Sequence, residues 1–353
     1  MAFAARHRSL TDPRWTWPAL SMKGRAVAAL RQRLGLLDTR AEAIADPQIP
    51  VAMMFLCLDE ILDSCDHRWV IHMRACQDWL RLRRQLPSSS RSFQAEQSLV
   101  SFAERFFAFQ DVISRTACGK APHFGLEYWE DLGRGTDAQE WWMGCSTALA
   151  NIIFRITELG RARDRKELSA DTFEMQAGSL EEELQSLTYK NHQDYDGIPG
   201  DGLIRTSFEL MRESVTLYHH CLLYDASPST PLVATAIRKI LQMTHELMEA
   251  GSFSGLAFPL FVAAVELDPL NDELILQHSD AALSEKRVSG RWFVLETLQT
   301  LSVCSLFNVP RTRAVIRNIW TMRDLRLEED EATRARNDWN FYVSPYSSNI
   351  SLA

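Results

Sequence analysis

Apolar residues recur at steps of three and four along most of the chain, and this spacing constrains the fold more than any other feature. It places side chains on one face of an α-helix, whereas a half-buried strand needs strict alternation. Between 49 and 82 the stripe runs through Val51, Phe55 and Ile61 and resumes at Trp69. The 15 glycines and 13 prolines of the 353 residues fall mostly between such segments. The pattern predicts an all-α chain with a helical hairpin over 49–82.

The same periodicity predicts roughly a dozen helices along the chain. We expect one large helical domain over 25–340, preceded by a loosely packed or poorly ordered segment 1–24 and followed by a tail 341–353. Beyond the hairpin, helices are expected over 92–118, 137–162, 172–190, 203–223, 231–250, 254–267, 270–288, 291–307 and 311–326. Loops are expected over 119–135 and 191–202, and the Gly251 to Gly255 string is expected to connect two helices.

Charge and hydropathy limit the class of protein. The mean hydropathy is -0.19, and the sequence has neither a signal-peptide core nor a run of about 18 apolar residues. These features predict a soluble protein that is not secreted. Lys and Arg number 38 against 46 Asp and Glu, a net charge of -8. Because such a chain repels phosphate backbones as a whole, any DNA recognition needs a positive face from elsewhere.

The cysteines indicate neither a disulfide framework nor a zinc site. Their number is odd, they are scattered through apolar segments, and none forms a CxxC pair. We interpret them as reduced core thiols of an intracellular protein. They are Cys57, Cys65, Cys76, Cys118, Cys145, Cys221 and Cys304.

One acidic string offers an enzymatic hypothesis. Asp59, Glu60 and Asp63, at i, i+1 and i+4, put two carboxylates on one helix face, as class I isoprenoid synthases do to hold magnesium against a diphosphate. The second metal-binding string is incomplete, since Ile275 stands where a hydroxyl should follow Asn271 and Asp272. An acidic helix end running into a loop is the competing interpretation.

Other candidate groups have structural interpretations. His219 and His220 are adjacent, and His67 and His72 are five apart, so neither pair has the i, i+4 spacing of a metal clamp. Two short basic sets also occur. The first could contribute to a nuclear import signal, and the second is interpreted as a solvated helix face. They are Arg81, Arg83 and Arg84, and Arg311, Arg313, Arg317 and Arg323.

Several strings of the sequence are recognisable by their residues and by their order along the chain. In the C-terminal half these are Gly255-Leu-Ala-Phe-Pro-Leu-Phe-Val-Ala-Ala-Val-Glu-Leu-Asp-Pro269, Arg287, Gly290-Arg-Trp-Phe293, Ile319-Trp-Thr-Met-Arg-Asp-Leu325 and Asp338-Trp339. In the N-terminal half they are Leu56-Cys-Leu-Asp-Glu-Ile-Leu-Asp-Ser-Cys65 and Arg68-Trp-Val-Ile-His-Met-Arg-Ala-Cys-Gln-Asp-Trp-Leu80. In their residues and their order these strings resemble the regulatory region of fungal binuclear zinc cluster transcription regulators, the fungal-specific transcription factor domain. The likeness extends from about 25 to 340 and places Glu60 where the family often has an acidic residue.

The resemblance implies a nuclear regulator of a metabolic or secondary-metabolite gene set. Such a protein would act through protein partners, a homodimer or a small-molecule effector, with no catalytic residue, cofactor or metal in this domain. Two departures stand out: the family's six-cysteine DNA-binding cluster is missing from the sequence, and Ala264 replaces a motif glycine. The sequence therefore predicts a regulatory region, either part of a longer regulator or a protein without the cluster. The isoprenoid enzyme and a purely structural interaction protein remain the alternatives.

Overall fold

The structure is a computed structural model, and the residues that it describes are 1–36, 40–63, 68–85, 94–116, 124, 129, 139–140, 145–189, 201–268, 270–276, 286–304, 309–325, 350 and 352. These residues form thirteen α-helices, one 3-10 turn and two two-stranded sheets, which confirms the all-α class and the expected number of helices. The helices are α1 (Ala2–Ser9), α2 (Thr16–Leu36), α3 (Arg40–Ala45), α4 (Gln48–Asp63), α5 (Arg68–Arg84), α6 (Gln94–Thr116), α7 (Thr147–Asp164), α8 (Ala170–Ser186), α9 (Asp201–Leu223), α10 (Pro231–Glu249), α11 (Ala257–Val265), α12 (Gly290–Cys304) and α13 (Val309–Leu325). The strands are β1 (Gln139–Glu140), β2 (Cys145–Ser146), β3 (Glu273–Leu276) and β4 (Lys286–Ser289).

Most predicted helices are confirmed to within a few residues, but the one expected over 137–162 begins at Thr147. Strands β1 and β2 pair in its first part. The helix starts where it does because the Ser146 hydroxyl accepts a hydrogen bond from the Leu149 N–H at 3.2 Å, an N-cap. The predicted loops over 119–135 and 191–202 lie largely outside the described residues.

The helix predicted over 270–288 is wrong. Strands β3 and β4 pair antiparallel there, with Leu274 opposite Val288. In β3, Leu274 and Leu276 are buried while Glu273 and Ile275 are exposed. That period of two is the burial pattern of a strand, and four residues are too few to distinguish it from a helix turn in the sequence.

The chain divides into two compact units. Unit 1 comprises residues 1–111, 306–308 and 348–351, and unit 2 comprises 112–305, 309–347 and 352–353. The predicted division into a segment 1–24, a domain 25–340 and a tail 341–353 stays a prediction.

Unit 1 is built on the predicted hairpin of α4 and α5. Helix α1 packs against α2 and α4, and α3 packs against α5. The Trp79 indole of α5 donates to the Ala43 carbonyl at 3.1 Å. The Arg83 guanidinium, stacked over Trp79, donates to the Ile44 and Ala45 carbonyls at 3.3 and 3.1 Å. These donors satisfy carbonyls at the C-terminal end of α3 that have no partner inside the helix.

Unit 2 is built around α9, which packs against α7, α8, α10 and α11. The Tyr218 hydroxyl of α9 lies 3.1 Å from the Thr157 hydroxyl of α7, and its ring meets Phe258 of α11 edge to face. All nine residues of α11 are buried, as expected of a helix that is apolar on every side. The connector before it is confirmed: Gly251 and Gly255 have φ of 74° and 72°, which glycine adopts without strain.

The thiols are partly as expected. Cys57, Cys76 and Cys221 are buried thiols that form no disulfide within the described residues, and burial raises the pKa of the Cys76 and Cys221 thiols. Cys304 is exposed at the end of α12, so the interpretation of every cysteine as a core residue is wrong. The side chains of Cys65, Cys118 and Cys145 lie outside the described part of the chain. None of the described helices is both long and apolar enough to cross a bilayer.

Candidate functional site

The C-terminal end of α11 is the point in unit 2 where the motif residues meet. The last carbonyls of an α-helix have no partner within the helix. Here the Trp320 indole of α13 donates to the Ala264 carbonyl at 2.7 Å, and the Arg323 guanidinium donates to the Val265 carbonyl. Trp320 and Arg323 are three residues apart and therefore lie on the same face of α13. A cation at this end also interacts favourably with the helix dipole of α11.

The contact between α11 and α13 also includes a buried carboxylate. Glu266, 1% exposed, follows α11 directly, and its Oε2 lies 3.5 Å from the Arg323 Nη2. Ionised carboxylates are rarely this buried unless they are paired. Arg323 therefore has a structural partner, and its assignment to a solvated helix face is wrong.

A second ion pair joins α12 to α13. The two terminal nitrogens of Arg291 donate to the two carboxylate oxygens of Asp324 at 2.8 and 2.7 Å, a bidentate arrangement. The hydrogen bonds from Arg291 lower the pKa of the Asp324 carboxyl. The guanidinium also lies 5.2 Å from the centroid of the Trp320 ring, within the range of a cation–π contact. We call Val265, Glu266, Arg291, Trp320, Arg323 and Asp324 the motif cluster.

The packing at the start of α12 explains why the Gly290-Arg-Trp-Phe293 motif begins with glycine. A Cβ on Gly290 would lie 2.9 Å from Leu267 Cδ2 and 3.0 Å from the Asp272 carbonyl oxygen, closer than ordinary contacts. The Asp272 carboxylate accepts hydrogen bonds from the Ser289 hydroxyl at 2.7 Å and from the Arg291 N–H at 3.1 Å. Asp272, which the isoprenoid hypothesis placed near a metal, thus anchors the first turn of α12.

In unit 1, the acidic residues of α4 face cations from three other helices. Lys23 of α2 lies 2.9 Å from Asp59 Oδ2 and 2.7 Å from Glu60 Oε1. Asp59 is 1% and Glu60 5% exposed. Burial alone would lower the pKa of Lys23, but the hydrogen bonds to Glu60 and Asp59 raise it. Arg6 of α1 adds a contact of 3.7 Å to Asp59 Oδ1.

The third carboxylate of the predicted magnesium string is paired as well. Asp63 Oδ1 lies 3.1 Å from Arg6 Nη1, and Asp63 Oδ2 lies 3.4 Å from Arg68 Nη2. Arg68 also lies 3.2 Å from Glu60 Oε2. The three carboxylates therefore face three cationic side chains. No group of three or more His, Cys, Asp or Glu residues within the described ranges could hold a metal ion.

The histidines that are described have structural surroundings. His219 is 1% exposed, and its Nε2 lies 3.0 Å from the Ala177 carbonyl oxygen. Burial lowers the pKa of His219 and of His72. His220 lies 3.8 Å from Glu181. His67 falls outside the described residues.

The remaining predicted basic residues also have neighbours. Arg83 is buried against α3, Arg84 lies 2.9 Å from Glu104, and Arg81 lies 3.9 Å from Asp78. Arg83 is therefore not part of an exposed import signal, because its guanidinium is committed to backbone carbonyls. Arg317 is exposed on α13, as the predicted solvated face requires.

The described part of the chain has an all-α fold, and its motif residues pair with helix ends and with buried charges. The model of the fungal specific transcription factor domain matches residues 1–353, and the chain belongs to that family. The family is regulatory rather than enzymatic. No curated protein and no solved structure matches the chain.

Proposed function

We propose that this chain is the regulatory region of a nuclear transcription regulator and that it works through contacts with a protein partner or an effector, without chemistry of its own. The observation that carries the proposal is the motif cluster. Its residues bind helix ends and one another, a role in building a rigid helical assembly and not in holding a substrate.

Charge supports the view that DNA recognition lies outside the described surface. The sequence has a net charge of -8, and the arginines of the motif cluster are already paired with Glu266 and Asp324. Counterion release, the main source of DNA affinity, requires cations that are available to phosphates. The gene set under control would be a metabolic or secondary-metabolite one, as the family resemblance suggests.

The test is a reporter assay in which the whole chain is fused to an unrelated DNA-binding domain. We expect the fusion to change transcription from the matching promoter relative to the DNA-binding domain alone. The control is a fusion carrying Trp320→Ala, which loses the indole donor to the Ala264 carbonyl and should lose the effect. An expressed, folded fusion that leaves the reporter unchanged would contradict the proposal.

Two biochemical outcomes would also overturn it. One is nanomolar binding of duplex DNA by the purified chain at about 0.15 M salt, where non-specific binding is usually micromolar or weaker. The other is magnesium-dependent release of diphosphate from a prenyl diphosphate, abolished by Asp59→Asn but retained by Asp171→Asn on the exposed side of α8.

A further inference from the structure

Helices α2 and α4 of unit 1 leave an open apolar groove between them, which we call the α2/α4 groove. Its volume is about 650 Å³, and it is open to solvent. Three of its large side chains are well exposed: Leu36 at 71%, Leu99 at 50% and Phe55 at 47%. Apolar side chains grouped in this way on a surface usually mark a contact with another molecule. Lining residues include Ala29, Leu30, Leu36, Val51, Phe55 and Leu99.

Helix α2, which lines one side of the groove, is basic although the chain as a whole is acidic. From Thr16 to Leu36, helix α2 has four basic residues and no acidic one. Lys23 pairs with α4 and Arg33 pairs with Asp46. Arg25 and Arg31 are exposed and form no ion pair with any residue that the structure describes.

The two arginines lie on different sides of α2. Arg25 precedes the lining residues Ala29 and Gln32 by four and seven positions, so it lies on the groove side. Arg31 is about half a turn away from the middle of the lining face, because each residue advances by about 100°. The groove therefore has an available cation on its rim at Arg25, and no carboxylate is among its lining residues.

The length and shape of the groove suit a helix. Its lining on α2 runs from Ala26 to Leu36, which at 1.5 Å per residue is about 15 Å, or three helical turns. A helix of three to four turns can place apolar residues at i, i+3 or i+4, and i+7 into such a groove. An enclosed small ligand would instead require a pocket that surrounds most of its surface.

Helix α8, the most acidic of the described helices, does not make a second copy of this chain a suitable occupant. Helix α8 is acidic, with five Asp or Glu residues and no Lys or Arg, but its apolar residues Ala177, Leu180 and Leu184 are buried within unit 2. It exposes one large apolar side chain, Met175, at 67%. Another copy would therefore present the charge of α8 without the apolar face that the groove requires.

We propose that the α2/α4 groove binds an acidic amphipathic helix of a partner protein, with its apolar side chains in the groove and its carboxylates toward Arg25. This proposal states the chemistry of the protein partner in the proposed regulatory contact, and it rests on that proposed function. Peptide binding is measured separately from transcription. The groove proposal can therefore fail while the reporter assay succeeds, and the reporter assay can fail while the groove still binds the peptide.

The experiment uses the full chain and a fluorescein-labelled synthetic helix of about 15 residues, or about 22 Å. The peptide has Leu at i, i+3, i+4 and i+7 and Glu on its other face, and fluorescence anisotropy reports binding. We expect Phe55→Asp to weaken binding about tenfold or more, because an apolar side chain that the bound peptide covers becomes charged. Arg25→Glu should weaken it by about three- to tenfold, and more at low salt than at high salt.

The chain offers matched controls. Ile71→Asp changes a side chain that is 56% exposed on α5, outside the groove lining, and Arg31→Glu reverses a charge on the opposite side of α2. Both should leave affinity within about twofold, the usual range for changes outside a contact. Because Phe55 also lies 6.0 Å from the Phe3 ring, Leu99→Asp is the second groove variant, and circular dichroism checks that each variant folds.

Three results would overturn the proposal. The first is the absence of binding, or equal binding by a peptide with Lys in place of every Glu. The second is an equal loss with Ile71→Asp and with the two groove variants. The third is a homodimer that Leu99→Asp and Phe55→Asp both dissociate, which would assign the groove to a second copy of the chain.

Discussion

Replacing Trp320 with phenylalanine isolates the main contact of the motif cluster. The substitution keeps an aromatic ring in a position that is 5% exposed but removes the donor to the Ala264 carbonyl. That carbonyl then keeps the long backbone contact from the Leu267 N–H at 3.4 Å. Trp320→Phe should therefore loosen the end of α11 specifically.

The magnitude follows from three losses. Removing a donor from a buried carbonyl costs about 1–2 kcal/mol when a weak partner remains. The smaller ring leaves a gap at the contact, and phenylalanine attracts the Arg291 guanidinium less than tryptophan does, which together add about 1 kcal/mol. The expected destabilisation is about 2–3 kcal/mol.

Hydrogen exchange of the α11 amides is the appropriate measurement, because a chain with two compact units need not unfold in one step. At 1.4 kcal/mol per factor of ten, the loss corresponds to exchange about 30- to 150-fold faster. The matched control is Trp292→Phe. Trp292 is 46% exposed and stacks with Lys286 at 5.1 Å, so its replacement should cost about 0.5 kcal/mol. Equal protection of α11 in the two variants would refute the reasoning.

Three further predictions concern other parts of the structure. Gly290→Ala should destabilise unit 2 by about 1–3 kcal/mol, because the new Cβ crowds a backbone oxygen. Gly178→Ala, with no atom within 4 Å of its Cβ, should instead stabilise α8 by about 0.5–1 kcal/mol. Urea midpoints that move in the same direction for both variants would contradict this prediction. Lys23→Met should lower the stability of unit 1 by about 2 kcal/mol or more, because Asp59 loses its closest cation while buried, and added magnesium should not restore the melting temperature. Burial lowers the pKa of His219 in the folded chain. Below the usual histidine pKa near 6.5, the unfolded chain therefore binds a proton more readily than the folded chain does, and the free energy of unfolding falls as the pH drops. His219→Gln should reduce the loss in the free energy of unfolding between about pH 7.5 and pH 5.5, measured by urea titration at each pH. An unchanged loss would exclude His219 as its source.

The sequence predicted local structure well where long apolar stripes were available. The hairpin of α4 and α5 and the helix α10 appear within a few residues of the expected bounds. Prediction failed at β3 and β4, where four-residue strands are too short for a period of two to be distinguished from a helical turn. It also placed the start of α7 too early, because an N-cap at Ser146 decides that start and the preceding aromatic residues do not.

The candidate site was only partly predictable. The strings around Arg291 and Trp320 were recognised by their order in the chain, but their roles were not. From the sequence, Asp59 was either a metal ligand or part of an acidic helix end, whereas in the structure it lies beside Lys23 and Arg6. These two residues are 36 and 53 positions away, and no spacing rule connects residues on different helices.

What the sequence determined by itself is the helical class and the family, since both depend on patterns that are local or ordered along the chain. Tertiary structure alone decided what the charged and aromatic motif residues do. Burial makes an unpaired carboxylate or carbonyl costly, so the fold must bring a donor to each one. Trp320 and Arg323 at the end of α11, and Lys23 beside Asp59, are the donors that the packing of distant helices supplies.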